Sequence, residues 1–216
     1  MRAGRALLHV CTLVSSFCPV RSDDYSMNAP RYSTVASVLA LLALGLGGCA
    51  TTPLCELKDP GTGQTIPAEF MGTTGKLERQ IALPPPVTRP VILEKVETVS
   101  CGGYDRVIFT FDTAIPSYTA QYIDRPIREC GSGNVVQVAG DAWLEVKFAP
   151  AQAHTDSGEA TVPQRNRVLN YANLRQVVGT CDFEGHVNWV LGVGNPGRFR
   201  ATELNNPPRL VLDVRH

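Results

Sequence analysis

The sequence has no excess of charge of either sign and few residues typical of catalytic sites. Its 216 residues include 20 lysines and arginines, 20 aspartates and glutamates, and 4 histidines. A neutral chain without a basic patch is not expected to bind nucleic acid. No histidine pairs obviously with a serine or cysteine nucleophile, and no cysteine pair has the close spacing of a zinc or redox motif. We therefore predict a protein that is not an enzyme and that carries no cofactor or metal.

The sequence also lacks the run of about 20 apolar residues that a membrane-spanning helix needs. A shorter apolar run over residues 35–46 ends at Leu46-Gly47-Gly48-Cys49, the pattern of a bacterial lipobox. The small residues give a signal peptidase access to the backbone, and the thiol of Cys49 accepts a diacylglyceryl group. We therefore predict that the mature chain begins at lipidated Cys49, anchored at the extracytoplasmic face of the cell membrane.

Residues 1–49 then comprise an N-terminal extension and a lipoprotein signal peptide. Arg31 gives the signal its positive charge, and Met27 is the expected true start. An earlier start would place Asp23 and Asp24 in a region that should be basic. The alternative for the apolar run is a buried core helix, which the glycines at its end would weaken.

Residues 50–90 are rich in threonine, proline and glycine and have weak hydrophobic periodicity. Pro84-Pro85-Pro86 and Pro90 favour an extended, semi-rigid chain. The segment is therefore expected to be a tether that lifts the following domain off the membrane. The alternative is an irregular N-terminal lobe, which Cys55 would support if it bonds to the domain.

Four cysteines follow the lipobox: Cys55, Cys101, Cys130 and Cys181. Outside the cytosol an even number of thiols tends to pair, so we expect two disulfides. Spacing alone does not separate the three pairings. Cys101 with Cys181 is the weak preference because both lie in matching turns, and it would leave Cys55 to pin the tether to Cys130.

From residue 91 onward the hydrophobic period is two, and breakers rich in glycine, proline and asparagine separate the apolar runs. This pattern predicts an all-β sandwich over residues 91–216. Eight strands are expected, at residues 91–99, 106–112, 118–123, 143–148, 174–178, 187–193, 199–204 and 210–214.

The order strand, turn, strand, loop, strand, strand occurs twice in this region. In each half a cysteine-bearing turn, with Cys101 or Cys181, opens the second strand. Two four-stranded halves packed face to face would form one sandwich. Chance similarity among β-hairpins is the competing explanation.

Several of these segments resemble a known family. They are Gly103-Tyr104-Asp105-Arg106-Val107-Ile108-Phe109-Thr110-Phe111, Asp182-Phe183-Glu184-Gly185, Phe199-Arg200 and Pro207-Pro208-Arg209-Leu210-Val211-Leu212-Asp213-Val214. Together they are similar to the AMIN-like domain of exported proteins and lipoproteins of high-GC Gram-positive bacteria. The resemblance implies a sandwich of two similar, mostly four-stranded sheets. Through true AMIN domains it also implies attachment to cell-wall peptidoglycan, but it transfers no functional residue.

Two residue clusters are candidates for chemistry. Tyr104, Asp105 and Arg106 are candidate ligand-binding residues, because a tyrosine can stack on a sugar ring and the ions can bond hydroxyl or carboxylate groups. The alternative, which we favour, is that Asp105 and Arg106 pair internally. The second cluster, Asp182, Glu184 and His186, could bind a metal or perform acid–base chemistry, but charged residues opening a strand usually face solvent. His154 is expected to be solvated.

The sequence therefore predicts a lipid-anchored, non-enzymatic cell-envelope module whose partners are the membrane and a cell-wall glycan. One alternative is a carrier or sensor that holds a small apolar ligand between its sheets, with residues 150–173 as a lid. Another is an accessory subunit that offers a sheet edge to a membrane partner. The identity of any protein partner is not predicted.

Overall fold

The computed structural model describes residues 54–85 and 89–216. The expected start at Met27, the apolar run at 35–46 and the lipidation site Cys49 lie outside the described residues. Within the described part of the chain, no helix is long and apolar enough to cross a membrane.

The described residues contain strands and loops but no helix. All eight predicted strands are present, and three strands of two or three residues accompany them. The strands are β1 (Leu77–Arg79), β2 (Val91–Cys101), β3 (Tyr104–Phe111), β4 (Ser117–Ile123), β5 (Ala142–Ala149), β6 (Ala151–Gln152), β7 (Asn166–Val168), β8 (Leu174–Phe183), β9 (His186–Val193), β10 (Phe199–Asn205) and β11 (Pro208–Arg215).

The strands form two sheets that pack as a sandwich, so the predicted all-β class is confirmed. One sheet has six strands in the order β1-β4-β5-β9-β8-β7, and the other has five in the order β10-β11-β3-β2-β6. Side chains that alternate along the strands fill the space between them. At the centre, the Phe109 ring lies 5.0 Å from the ring of Phe148 and 6.3 Å from that of Trp189.

The order of strands in the two sheets shows the internal repeat. Each sheet has a four-stranded centre, β4-β5-β9-β8 in one and β10-β11-β3-β2 in the other. The two centres have the same order when strands six numbers apart are treated as equivalent. β2 then corresponds to β8, β3 to β9, β4 to β10 and β5 to β11. The two halves are not separate sheets, however, because each half contributes one hairpin to each sheet.

Residues 54–85 lie against the sandwich, which corrects the expected tether. Leu54, Leu57 and Ile66 pack on the outer face of the five-stranded sheet, against Ile108, Leu204 and Val211. Further along, β1 pairs with β4 and extends the six-stranded sheet. The segment is part of the domain because its few apolar side chains cover the apolar outer face of the five-stranded sheet. This agrees with the alternative of an irregular N-terminal lobe.

A buried carboxylate fixes the turn of this N-terminal segment. Asp59 is fully buried and accepts backbone hydrogen bonds from Asn205 at 2.6 Å, Gly61 at 2.9 Å and Thr62 at 3.2 Å. These bonds, led by that from Asn205, lower the pKa of Asp59 to about 2. The segment is therefore bonded to the end of β10 as well as packed on the sheet.

The four cysteines form two disulfides, but not in the pairing that the sequence favoured. The bonds join Cys55 to Cys101 and Cys130 to Cys181. Cys101 and Cys181 lie near the ends of the corresponding strands β2 and β8, although Phe183 rather than Cys181 occupies the position of Cys101 in the hairpin register. These strands lie in opposite sheets of the sandwich, and each cysteine bonds to the segment that covers its own sheet.

Candidate functional site

Asp105, one of the predicted binding residues, is fully buried at the start of β3. Its carboxylate accepts hydrogen bonds from Ser100 Oγ at 2.6 Å, from the backbone N–H groups of Asn173 and Leu174 at 2.7 Å each, and bonds His216 Nε2 at 3.1 Å. Burial raises the pKa of Asp105, but these hydrogen bonds outweigh it and the net pKa is lowered. Asp105 therefore joins the β2–β3 hairpin to the start of β8 in the other sheet.

Arg106 is also fully buried and belongs to an ion cluster with Asp213 and Arg200. Its Nε and Nη2 donate to the two oxygens of Asp213 at 2.6 and 2.9 Å, a bidentate arrangement. Arg200 Nε donates to the same carboxylate at 2.9 Å. Arg106 Nη1 also donates to the carbonyl oxygens of Leu54 at 2.9 Å and Cys55 at 3.1 Å. The two cations share one anion, and their remaining donors hold the N-terminal segment in place.

Tyr104 is the member of the predicted trio that reaches the surface, since it is only partly buried. The Arg106 guanidinium lies 5.1 Å from the centre of its ring and that of Arg200 5.5 Å from it. Phe70, from the N-terminal segment, lies 6.1 Å from the same ring and 4.8 Å from the Arg200 guanidinium. Such cation–π contacts hold the tyrosine ring in one orientation.

One edge of this cluster borders an open cleft of about 510 Å³ between the N-terminal segment and the five-stranded sheet. We call it the Tyr104 cleft, and its lining residues are Cys55, Glu56, Leu57, Lys58, Thr65, Ile66, Pro67, Ala68, Tyr104 and Arg200. It combines a fixed aromatic ring, a lysine ammonium and a glutamate carboxylate with an apolar floor. This is the chemistry of a binding site: it offers an apolar surface to stack on and polar groups that fix orientation.

The second predicted cluster does not come together. Asp182 turns toward the edge of the sandwich, where it contacts His154 Nδ1 at 3.0 Å and Arg165 Nη1 at 3.3 Å. Glu184 lies in the β8–β9 turn and His186 begins β9, where both are exposed, and His186 Nδ1 contacts the Glu184 carbonyl at 3.0 Å. His154, expected to be solvated, is therefore partly buried against a carboxylate. The three residues do not form a joint acid–base or metal site.

The sequence reasoning did not identify Asp213 and Arg200 as partners of Arg106. A signal was present for Asp213: it is a single charge within the apolar run 210–214 of a central strand. A buried charge in such a run requires an opposite charge nearby. Arg200 carries no comparable signal, because its strand β10 is at the edge of its sheet and contains several polar residues.

The fold and the cleft define a β-sandwich binding module. In the part of the chain that the structure describes, no group of three or more histidine, cysteine, aspartate or glutamate side chains is placed to hold a metal ion.

Residues 91–216 match the family model of the AMIN-like domain, and the chain belongs to that family. This membership indicates a cell-envelope module, since AMIN-like domains are generally non-catalytic and are associated with peptidoglycan binding. Neither the curated proteins nor the solved structures contain a match to this chain.

Proposed function

We propose that this protein is a lipid-anchored, non-enzymatic module that binds peptidoglycan or a glycan attached to it, and that the Tyr104 cleft contacts the glycan. Family membership over residues 91–216 is the observation that carries the proposal. The geometry of the cleft supports it. A sugar ring has an apolar face that can stack on an aromatic side chain, and its hydroxyl groups bond charged and backbone groups at the rim.

The Tyr104 ring suits this role because it is held before any ligand arrives. Two arginines and Phe70 contact it, and the arginines are fixed in turn by Asp213. A rigid ring loses little conformational freedom on binding, which favours affinity. Asp105 and Arg106 then act as positioning residues, since both are fully buried with partners inside the protein.

The test is co-sedimentation of the full chain, in mild detergent, with purified peptidoglycan before and after removal of its attached polymers. We expect a dissociation constant in the micromolar range or weaker, about −8 kcal/mol or less favourable, and no release of soluble fragments. Tyr104→Ala should weaken binding by about tenfold, since an aromatic contact at a site centre is typically worth that much or more. Tyr171→Ala is the matched control, because Tyr171 is a partly buried tyrosine outside the cleft.

Two results would contradict this proposal. If the chain stays in the supernatant with every wall preparation and copurifies with a lipid, it is a carrier instead. If peptidoglycan is degraded during the assay, the protein is an enzyme. The sandwich interior does not favour the carrier, because Phe109, Phe148 and Trp189 fill the centre between the sheets.

The lipid anchor has its own test at Cys49. We propose that this cysteine carries the lipid because it ends a lipobox after a short apolar run. Cys49→Ala should release the protein from the membrane fraction or leave it uncleaved, whereas Cys55→Ala should leave its membrane location unchanged. Intact mass spectrometry of membrane-extracted protein checks the assignment. An unmodified N-terminus upstream of Cys49 would refute it.

A further inference from the structure

Two hairpins of this protein share a sequence pattern that the strand repeat does not include. Residues 57–66 read Leu-Lys-Asp-Pro-Gly-Thr-Gly-Gln-Thr-Ile, and residues 127–136 read Ile-Arg-Glu-Cys-Gly-Ser-Gly-Asn-Val-Val. Both begin and end with an aliphatic residue. Between these lie a cation, an acid, a variable residue, glycine, a hydroxyl residue, glycine, an amide and a second variable residue. We call them the first and second capping hairpins.

The two capping hairpins have the same backbone hydrogen bonds. Lys58 pairs with Thr65 in the first hairpin, and Arg128 pairs with Val135 in the second. The N–H of the acidic residue donates to the carbonyl of the amide residue, at 2.8 Å in the first and 3.0 Å in the second. The second glycine of each has a positive φ, 68° at Gly63 and 73° at Gly133. The repeated sequence thus specifies a repeated turn, since glycine adopts this conformation readily.

The capping hairpins also occupy equivalent places on the duplicated sandwich. The first covers β3, β10 and β11 on the outer face of the five-stranded sheet through Leu57 and Ile66. The second covers the corresponding strands β9, β4 and β5 of the six-stranded sheet, together with β8, through Ile127 and Val136. A disulfide holds each hairpin to its sheet: Cys55, two residues before the first hairpin, bonds to Cys101 of β2, and Cys130, within the second hairpin, bonds to Cys181 of β8.

A cleft lies beside the second capping hairpin, as the Tyr104 cleft lies beside the first. This Phe183 cleft has a volume of about 470 Å³ and is lined by Glu129, Cys130, Gly131, Ser132, Val136, Arg165, Asn166, Val178, Gly179, Thr180, Cys181, Asp182 and Phe183. As in the first cleft, a disulfide-bonded cysteine, an arginine and an aromatic side chain form part of the wall, with Tyr104 at the start of β3 and Phe183 at the end of β8. Phe183 is 56% exposed, so much of its ring is accessible to a ligand in the cleft.

The polar groups of the Phe183 cleft suit hydroxyl and amide groups of a sugar. Asn166 lines the cleft, and its Oδ1 accepts a hydrogen bond from Gln176 Nε2 at 2.7 Å, a bond that does not use the Nδ2 hydrogens. Glu129 and Ser132 are bonded to each other at 2.6 Å at the exposed end of the hairpin, so they present an acceptor and a hydroxyl side by side. An exposed aromatic ring among planar polar side chains can stack on the apolar face of a sugar and bond its edge.

We propose that the Phe183 cleft is a second saccharide-binding site, beside the second capping hairpin as the Tyr104 cleft lies beside the first. The inference rests on the proposed function, because it assigns a second site for the same class of ligand. The two capping hairpins cover opposite outer faces of the sandwich, so the two sites take separate glycan segments. One domain then holds two segments, and binding to a polymer gains from avidity.

The test titrates the full chain, in mild detergent, with soluble peptidoglycan fragments of a few disaccharide units, at a protein concentration above the dissociation constant. Wild-type protein should bind two fragments per chain. Phe183→Ala should bind one, and so should Asn166→Asp, which keeps the oxygen that accepts from Gln176 but removes the amide hydrogens. Val168→Ala is the control, because Val168 is 77% exposed on the edge strand β7 and outside both clefts. On insoluble peptidoglycan, Phe183→Ala should lose about tenfold in affinity through the lost avidity.

The possible outcomes separate the second site from the proposed function. If wild-type protein binds one fragment, and Phe183→Ala matches Val168→Ala while Tyr104→Ala loses binding, the second site is refuted and the proposed function stands. If wild-type protein binds neither soluble nor insoluble peptidoglycan, both proposals fail. Two fragments per wild-type chain, reduced to one by either Phe183→Ala or Tyr104→Ala, would support both sites.

Discussion

Replacing Asp213 with asparagine should destabilise the domain by about 3–5 kcal/mol, the cost typical of removing one partner from a buried ion pair. Asparagine keeps the shape of the side chain and one acceptor oxygen, but it removes the negative charge between two arginines. Arg106 is fully buried and Arg200 nearly so, with 0% and 8% of their side chains exposed. Two cations would then face each other away from water without a counter-charge.

Thermal and denaturant unfolding measure this effect. For a domain of this size a loss of this magnitude corresponds to a melting temperature about 10 °C lower. Asp124→Asn, at an exposed position after β4, is the control and should melt like the wild type. An Asp213→Asn protein with wild-type stability would show that water or another group compensates the arginines. The same variant should weaken glycan binding as well, because Arg106 and Arg200 position Tyr104.

The period-two pattern was sufficient to predict the eight long strands. In β3, for example, Val107, Phe109 and Phe111 alternate with other residues and all three are buried between the sheets. The short strands β1, β6 and β7 were not predicted, because two or three residues cannot show a period. They form only because a neighbouring strand presents its backbone groups.

The N-terminal segment was misjudged as a tether because its own composition has weak periodicity. The signal for its position lies elsewhere, in strands that are apolar on both faces. Ile108 lies between Val107 and Phe109, and Val211 lies between two leucines. A strand with a continuous apolar run is buried on both sides. The outer face of this sheet therefore required a cover, and residues 54–66 supply it.

Of the three predicted binding residues, only Tyr104 lines the cleft, and its role in binding stays a prediction. The sequence places Tyr104, Asp105 and Arg106 side by side, but adjacent strand residues point to opposite faces, so Asp105 lies on the face opposite to that of Tyr104 and Arg106. Asp213, the partner of Arg106, is 107 residues away in sequence. Contacts of this kind depend on the register of β3 with β11, which no local pattern specifies.

Removing the two disulfides should produce the largest loss of stability. The Cys55–Cys101 and Cys130–Cys181 bonds join residues 46 and 51 positions apart. Closing a loop of this length in the unfolded chain corresponds to about 4 kcal/mol per bond in the chain-entropy account. The two bonds tie different hairpins to opposite sheets, so their effects should add. Together they approach the whole stability of a typical domain, about 5–15 kcal/mol.

Paired alanine variants make the comparison. The Cys55→Ala, Cys101→Ala protein and the Cys130→Ala, Cys181→Ala protein should each melt well below the wild type, and the fourfold variant should be largely unfolded at 37 °C. Proteolytic mapping without reduction should recover the peptides of Cys55 and Cys101 joined together, and those of Cys130 and Cys181 likewise. Recovery of a Cys101–Cys181 peptide would contradict the structure. Wild-type stability in either double variant would show that the sheet contacts of that capping hairpin suffice without its disulfide. Since each hairpin also forms one wall of a cleft, the double variant of each pair should weaken glycan binding at its own cleft more than at the other.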